Sequence, residues 1–305
     1  MKRLLNCTAT DFSQMKGKEL LASIRASEGR VIVSEVIGTK EPLVADVTNA
    51  EVAAAFGADL LLFNLFDVNN PNVRGLDAKN HLAIIHQVKA YTGRPLGINL
   101  EPVDDGAQTI EKIHHVPNGR IASFSSLEKA KSLGFDFVCL TGNPKTGVTN
   151  KEIVSAIERA NQVFHDDGII IAGKMHSAGV AAEYATEIID EATINRFMHA
   201  GADIILLPAP GTIPGFTLEK VHGLIQVIHK QGGLALLTVG TSQESADPDT
   251  IRQIALQSKM AGADLYHLGD GSFSGIAPPE NILTYSIAIR GKRHTYYRMA
   301  ASIRR

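Results

Sequence analysis

The stretch "MHAGADIILLPAP" (198–210) decides the fold, because the chain writes it four times. "AAFGADLLLFN" (54–64), "KSLGFDFVCLTGN" (131–143) and "KMAGADLYHLGDG" (259–271) repeat its plan: a helix-like end, a glycine, an aspartate two residues later, then an apolar run. Gly57, Gly134, Gly201 and Gly262 suit the left-handed position that closes a helix. The apolar runs suit parallel strands covered on both faces. Asp59, Asp136, Asp203 and Asp264 stand where these strands begin, and there they are expected to bond backbone amides rather than to catalyse.

Between the copies lie four further candidate strands, "RVIVSEVIG" (30–38), "RPLGINLEP" (94–102), "GIIIAGKMH" (168–176) and "GLALLTVGTS" (233–242). Helical patterns separate the strands at 48–56, 78–91, 126–133, 150–164, 191–200, 217–231 and 248–261. Eight strand–helix units predict an α/β fold, a single (β/α)8 barrel of the TIM type, formed by one domain over 1–305. An open doubly wound sheet lacks its phosphate-binding G-x-G-x-x-G after the first strand. The segment "DFSQMKGKELLASIRASEG" (11–29) reads as a helix capping the bottom of the barrel. The basic end "RGKRHTYYRMAASIRR" (290–305) reads as a helical tail that is solvated or meets another subunit, so a homo-oligomer is expected.

Lys and Arg number 30 against 32 Asp and Glu, a formal charge of −2, which gives no general attraction to nucleic acid or to an anionic membrane. No apolar run approaches the length of a membrane span. Cys7 and Cys139 are too few and too far apart for a disulfide framework or a metal knuckle, and they fit a reducing, cytoplasmic setting. The apolar stretch before Cys7 is too short for a lipoprotein signal.

In such barrels the chemistry gathers at the C-terminal ends of the strands. That rule selects Glu35 after the first strand, Asn64 (with Asp67 beyond) after the second, Asn99 and Glu101 after the third, and Thr141 and Asn143 after the fourth. Lys174 and His176 follow the fifth. Alternation along a strand puts Asn99 with Glu101, Thr141 with Asn143, and Lys174 with His176 on shared faces. A structural ion pair between Glu35 and Lys174 is one outcome. His267, in mid-strand, reads as a core histidine with its bonds satisfied. The glycine-rich ends "VGTS" (239–242) and "GDGSFSG" (269–275) occupy the places where these barrels bind phosphate, so Gly240, Thr241, Ser242, Gly269, Asp270, Gly271 and Ser272 are expected to bind an anion. "GDGSFS" also resembles a segment of haloacid dehalogenase-like phosphatases. The nucleophilic D-x-D-x-T/V of those enzymes is missing, and "DPDT" (247–250) has the wrong spacing.

"MKRLLNCTATDF", "IRASEGRVIVSEV" and "HLGDG" together resemble an uncharacterised bacterial barrel family sometimes labelled haloacid dehalogenase-like hydrolase. The resemblance spans nearly the whole chain and implies the barrel but no particular reaction. "PLVADVTNAEVAAAFGADLLLFN" (42–64) is distantly similar to the barrel domain of hydroxymethylbutenyl diphosphate synthase. The iron–sulfur domain of that enzyme has no counterpart here, so the similarity implies a barrel suited to a phosphorylated ligand.

The function expected is that of a lyase or isomerase acting on a small anionic metabolite, phosphorylated or carboxylated. Glu35 or Glu101 would be the base, His176 the acid, and Lys174 an enolate stabiliser or Schiff-base nucleophile. One alternative is a metal-assisted enzyme of the phosphoenolpyruvate mutase kind, with Mg2+ or Mn2+ on Glu35, Glu101, Asp67 and His176. The other is a ligand-binding barrel without catalysis, whose long loops 67–75 and 104–123 (with His114, His115 and Arg120) act as lids or contacts.

Overall fold

A computed structural model describes residues 1–76, 81–110, 112, 114–183 and 188–305. Eight parallel strands close into one barrel, each paired to the next in chain order and the last to the first. They are β1 (Val31–Ile37), β2 (Leu60–Asn64), β3 (Leu96–Leu100), β4 (Phe137–Leu140), β5 (Ile169–Gly173), β6 (Ile204–Pro208), β7 (Leu234–Val239) and β8 (Leu265–Leu268). The helices preceding the barrel are α1 (Ala9–Gln14) and α2 (Gly17–Arg25). Those outside it are α3 (Asn49–Ala55), α4 (Ile84–Thr92), α5 (Phe124–Leu133), α6 (Asn150–Phe164), α7 (Glu191–Ala200), α8 (Leu218–Lys230), α9 (Pro248–Ala261) and α10 (Pro279–Ala300). Among the described residues, no helix is long and apolar enough to cross a membrane. The start expected at 78 for the helix after β2 lies outside the described residues.

The fourfold repeat has a physical meaning at the bottom of the barrel. Asp59 accepts a hydrogen bond from the Ile32 amide at 2.8 Å, and its own amide donates to the Ile32 carbonyl. Asp136 does the same with Leu96, Asp203 with Ile170 and Asp264 with Ala235. Each aspartate thus clamps the start of an even strand to the odd strand before it at two points. Such bonds satisfy amides that parallel pairing leaves open at a strand end.

Strand alternation divides the core in two. Ile32, Leu61, Ile98, Val138, Ile170 and Ile205 pack outward under the helices. Val31, Val33, Leu60, Leu62, Phe137, Cys139, Ile169 and Ile171 point into the barrel, and Leu4, Phe12, Leu20 and Ile24 close that inner cluster from below. The N-terminal helices therefore plug the bottom, as expected. Gly97 is bare because a methyl there would stand 2.0 Å from the Phe137 ring, which fills the inner layer across it.

The basic C-terminal stretch differs from a solvated tail. α10 turns at Gly291 (φ 74°) and carries Arg290 and Arg298 into the protein, where both pair with buried Asp59. Arg298 also donates to the carbonyls of Leu4 and Cys7 at 2.7 and 2.8 Å. Two guanidiniums on one carboxylate hold Asp59 ionised, below the usual carboxylate range, against the burial that pushes it up. The charge thus serves to tie the two chain ends to the first strand pair, although Tyr296 and Tyr297 remain at the surface.

Candidate active site

The strand phase that buries the inner cluster brings Glu35, Asn64, Asn99 and Thr141 to the C-terminal mouth, one layer above it. They line a cavity of about 450 Å³ together with Asn143, Lys145, Met175, His176, Gly240, Thr241, Ser242, Glu244, Gly269, Asp270 and Gly271. Residues 108–110 cross over its edge: the Ile110 amide donates to Gly179, and Ala181 donates back to Gln108. Residues 108–110 of the segment after β3 are thus seated on the turn after β5, and Ile110 lines the cavity.

Three asparagines form one network. Asn64 and Asn143 exchange amide hydrogen bonds at 2.8 and 3.0 Å, Asn99 donates to Asn64 at 3.0 Å, and Asn64 donates to Asp270 at 3.0 Å. Interlocked amides fix one another's orientation, so this wall is rigid before any ligand arrives.

Beside it stand three carboxyl groups. Glu35 is buried, and desolvation raises its pKa well above the usual carboxylate range, with the neighbouring charges of Asp270 and Glu244 adding to the rise. Burial likewise pushes Asp270 up to about 6, while the Asn64 bond opposes the shift. Glu244, on the turn Gln243–Ser245 after β7, is raised chiefly by burial. Below Glu35, His267 Nε2 lies 3.5 Å from its carboxylate, and Nδ1 bonds the Thr238 hydroxyl. Burial drops the His267 pKa to about 3, so the ring is neutral. Its Nε2 has no hydrogen-bond partner, unlike the satisfied core histidine expected.

The glycine-rich ends approach something other than an open anion site. A methyl at Gly271 would meet a Glu244 oxygen at 2.0 Å, and one at Gly269 would come within 3.6 Å of Glu35. The amide of Asp270 faces the Glu35 carboxyl and that of Gly271 faces Glu244, where both favour ionisation. The bare backbone of 269–271 thus makes room for two of the protein's own acids. Thr241 and Ser242 are both left-handed (φ 58° and 72°), and the Thr241 hydroxyl donates to Thr212 at 3.0 Å. Ser272 does not line the cavity.

Two other candidates stand outside the wall. Glu101 is buried in an ion pair with Arg120 and accepts from the Asn143 amide at 3.1 Å, so it supports the asparagine network from behind. Lys174 pairs with Glu183, not with Glu35. The inner face of β5 is Ile169, Ile171 and Gly173, so Lys174 falls in the outward phase with Ile170 and Ala172, and Met175 takes the cavity position. Burial lowers the Lys174 pKa, and the Glu183 carboxylate works the other way. His176 reaches the cavity only because the strand ends at Gly173. Its Nδ1 accepts from the Ala178 amide at 3.0 Å, which leaves the proton on Nε2, and burial holds its pKa down at about 4.

The metal set expected from sequence does not converge. Glu101 is committed to Arg120, Asp67 accepts from the Asn69 amide at 2.8 Å, and His176 Nδ1 is taken by Ala178. Among the described residues no three His, Cys, Asp or Glu side chains come together as a metal centre. These side chains do not fit Mg2+ or Mn2+ held by protein ligands.

Comparison with known proteins adds the family and the fold. The family described as a domain of unknown function (DUF7916) matches residues 5–305. The match fits an uncharacterised barrel family and gives no support to the haloacid dehalogenase-like label or to hydroxymethylbutenyl diphosphate synthase. No curated protein matches the sequence. Among solved structures, 2,3-dimethylmalate lyase, of the PEP mutase/isocitrate lyase superfamily, is 14% identical over 86% of this chain and 81% of its own, with a TM-score of 0.52. The carboxyl transferase domain of Rhizobium etli pyruvate carboxylase, solved with pyruvate, is 12% identical over 97% of this chain and 53% of its own, with a TM-score of 0.55. At these identities both likenesses speak for the fold alone.

Proposed function

The chain belongs to that family, and we propose that it is a lyase or isomerase working by proton transfer on a small carboxylate- or phosphate-bearing metabolite at the C-terminal mouth of the barrel. The observation that carries this reading is the pair Glu35 and Asp270, two carboxyl groups on one cavity whose pKa values are raised to different extents. Environments that separate two acids in this way assign them different roles. Glu35, the more deeply buried and raised well above the usual carboxylate range, is assigned the role of acid. Asp270, titrating near 6, is ionised at neutral pH and acts as the base.

Asp270 takes a proton from carbon next to a carbonyl or carboxylate. The charge that develops on the metabolite oxygen is met by the Glu35 carboxyl proton and by the Thr141 hydroxyl on the same wall. Isomerisation follows when Asp270 returns the proton to a neighbouring atom, and lysis when the freed electron pair forms a C=C bond and a β-substituent departs with its own bonding pair and the Glu35 proton. Lys145 and the Nε2–H of His176 line the cavity as well and supply donors for an anionic group. The barrel shared with 2,3-dimethylmalate lyase is consistent with this class of reaction.

The test is deuterium wash-in. The protein is incubated in D2O with small 2-oxo acids, 2-hydroxy acids and sugar phosphates, and proton NMR follows each C–H signal. One class is expected to lose its signal or convert to product, and Glu35→Gln and Asp270→Asn are expected to stop it. Ligands that bind without exchange or conversion would overturn the reading in favour of a binding barrel.

A further inference from the structure

We infer that the metabolite of this cavity carries a primary ammonium group, seated between Glu244, Asp270 and Glu35. The inference rests on the proposed site but not on its chemistry. Glu244 is 1% exposed and lines the cavity, and its carboxylate oxygens have no side-chain partner, only backbone amides such as that of Gly271 turned towards them. The Thr141 hydroxyl, 3% exposed on the same wall, is without a partner. A buried carboxylate with no side-chain partner is costly, so a structure that keeps one needs a reason.

The position of Glu244 is built rather than incidental. Asn281 at the start of α10 donates to the Glu244 and Ala246 carbonyls at 2.9 and 2.7 Å and pins the turn. Gly271 is bare where the Glu244 carboxyl arrives. Backbone amides and Asn64 supply donors at this end, but no cation is among the groups that act on Glu244 or Asp270.

Three ligand chemistries compete for it. A phosphate or carboxylate placed here meets the like charges of Glu244 and Asp270. A hydroxyl brings one donor and no charge. An ammonium brings three donors and the compensating charge. A bare divalent cation needs oxygens within about 2.0–2.6 Å, and the side chains do not converge that far. N–H···O contacts of about 2.7–2.9 Å suit a more open arrangement. Met175 and Ile110 give the same cavity apolar surface for the carbon chain. With the Nε2–H of His176 on the same cavity to meet an anionic end, the occupant is a zwitterion such as an amino acid or an aminoalkyl phosphate.

The test is calorimetric titration of the full chain with propylammonium, propanol and propionate at constant ionic strength. Propylammonium is expected to bind, and Glu244→Gln and Asp270→Asn are each expected to weaken it by about tenfold, the scale of one lost charge partner at a part-desolvated site. Circular dichroism of both variants confirms their fold. The inference is overturned by propanol or propionate binding as tightly as propylammonium. It is equally overturned by unchanged affinity in both folded variants, by displacement of propylammonium by Mg2+, or by no propylammonium binding up to about 100 mM, the weak limit for so small a ligand. None of these readouts needs turnover, so failure here leaves the proton-transfer reading intact, and failure of deuterium wash-in leaves this one intact.

Discussion

The imidazole of His267 touches Glu35 from beneath, Nε2 to Oε2 at 3.5 Å, with neither side chain open to water. A neutral ring under a protonated acid costs little. A charged ring there would have no room for its hydration. Since burial holds His267 near a pKa of 3 while the unfolded chain titrates it at about 6.5, the unfolded state takes up a proton first as pH falls. Wild-type stability should therefore drop below pH 6.5 relative to His267→Gln, by about 1.4 kcal/mol for each pH unit until pH 3 is approached. Denaturant titrations of the two proteins at matched pH check this, and parallel curves would refute it.

Glu35 runs in the opposite direction. Its folded pKa is raised, so its contribution is intact at low pH and is lost as pH rises from the unfolded value through the folded one. Glu35→Gln keeps the shape and removes the ionisation. The variant should gain in melting temperature over wild type as pH increases while losing exchange activity. A constant difference across the pH range would contradict the raised pKa.

For Asp270 the expectation is kinetic. If it is the base, exchange should rise with pH through about 6 and level off above. Asp270→Asn should cost about 100- to 10,000-fold in rate, the usual contribution of a general base, and abolish that limb of the profile. A residual limb at the same pH would assign it to another group.

Asp59 and Asp264 clamp their strand pairs in the same way but differ in company. Asp59 also carries Arg290 and Arg298, whereas Asp264 faces His229 at 2.8 Å near the surface. Asp59→Asn strands two buried guanidiniums and should cost about 3–5 kcal/mol. Asp264→Asn should cost about 1–3 kcal/mol. Equal losses in urea unfolding would mean that the C-terminal arginines contribute nothing.

At Gly97 the prediction concerns space. Gly97→Ala drives a methyl into the Phe137 ring and should destabilise by about 1–3 kcal/mol. Phe137→Leu in the same chain should recover part of that loss, and a double-mutant cycle measures the coupling. Additive effects would place the strain elsewhere.

Much of this architecture can be read before folding. The fourfold glycine–aspartate signature gives the strand count, closure and the backbone role of the four aspartates, because each follows from local chemistry repeated in register. The mouth residues Glu35, Asn64, Asn99 and Thr141 follow from alternation. Lys174 escapes that logic: "IIIAG" has no polar residue to mark its inner face, and the phase assigned from Lys174 and His176 is off by one. Glu244 escapes it as well, since it sits in a turn where neither strand nor helix periodicity applies. Arg290 and Arg298 read as surface charge because the partner that draws them inward, Asp59, lies more than two hundred residues away in the chain.

The aspartate clamps divide the barrel into four staves of two strands each, β1 with β2, β3 with β4, β5 with β6 and β7 with β8. The seams between staves carry no such aspartate, and at the lower end of the β2–β3 seam the Arg94 guanidinium donates to the Ala58 carbonyl at 3.0 Å instead. A chain whose residues 1 and 305 are joined and which is reopened at such a seam, for instance between β4 and β5, would keep every clamp. One reopened between β3 and β4 would part Asp136 from the strand it holds. The grain of the molecule thus runs in quarters, and the arginine hook of α10 closes the last quarter onto the first.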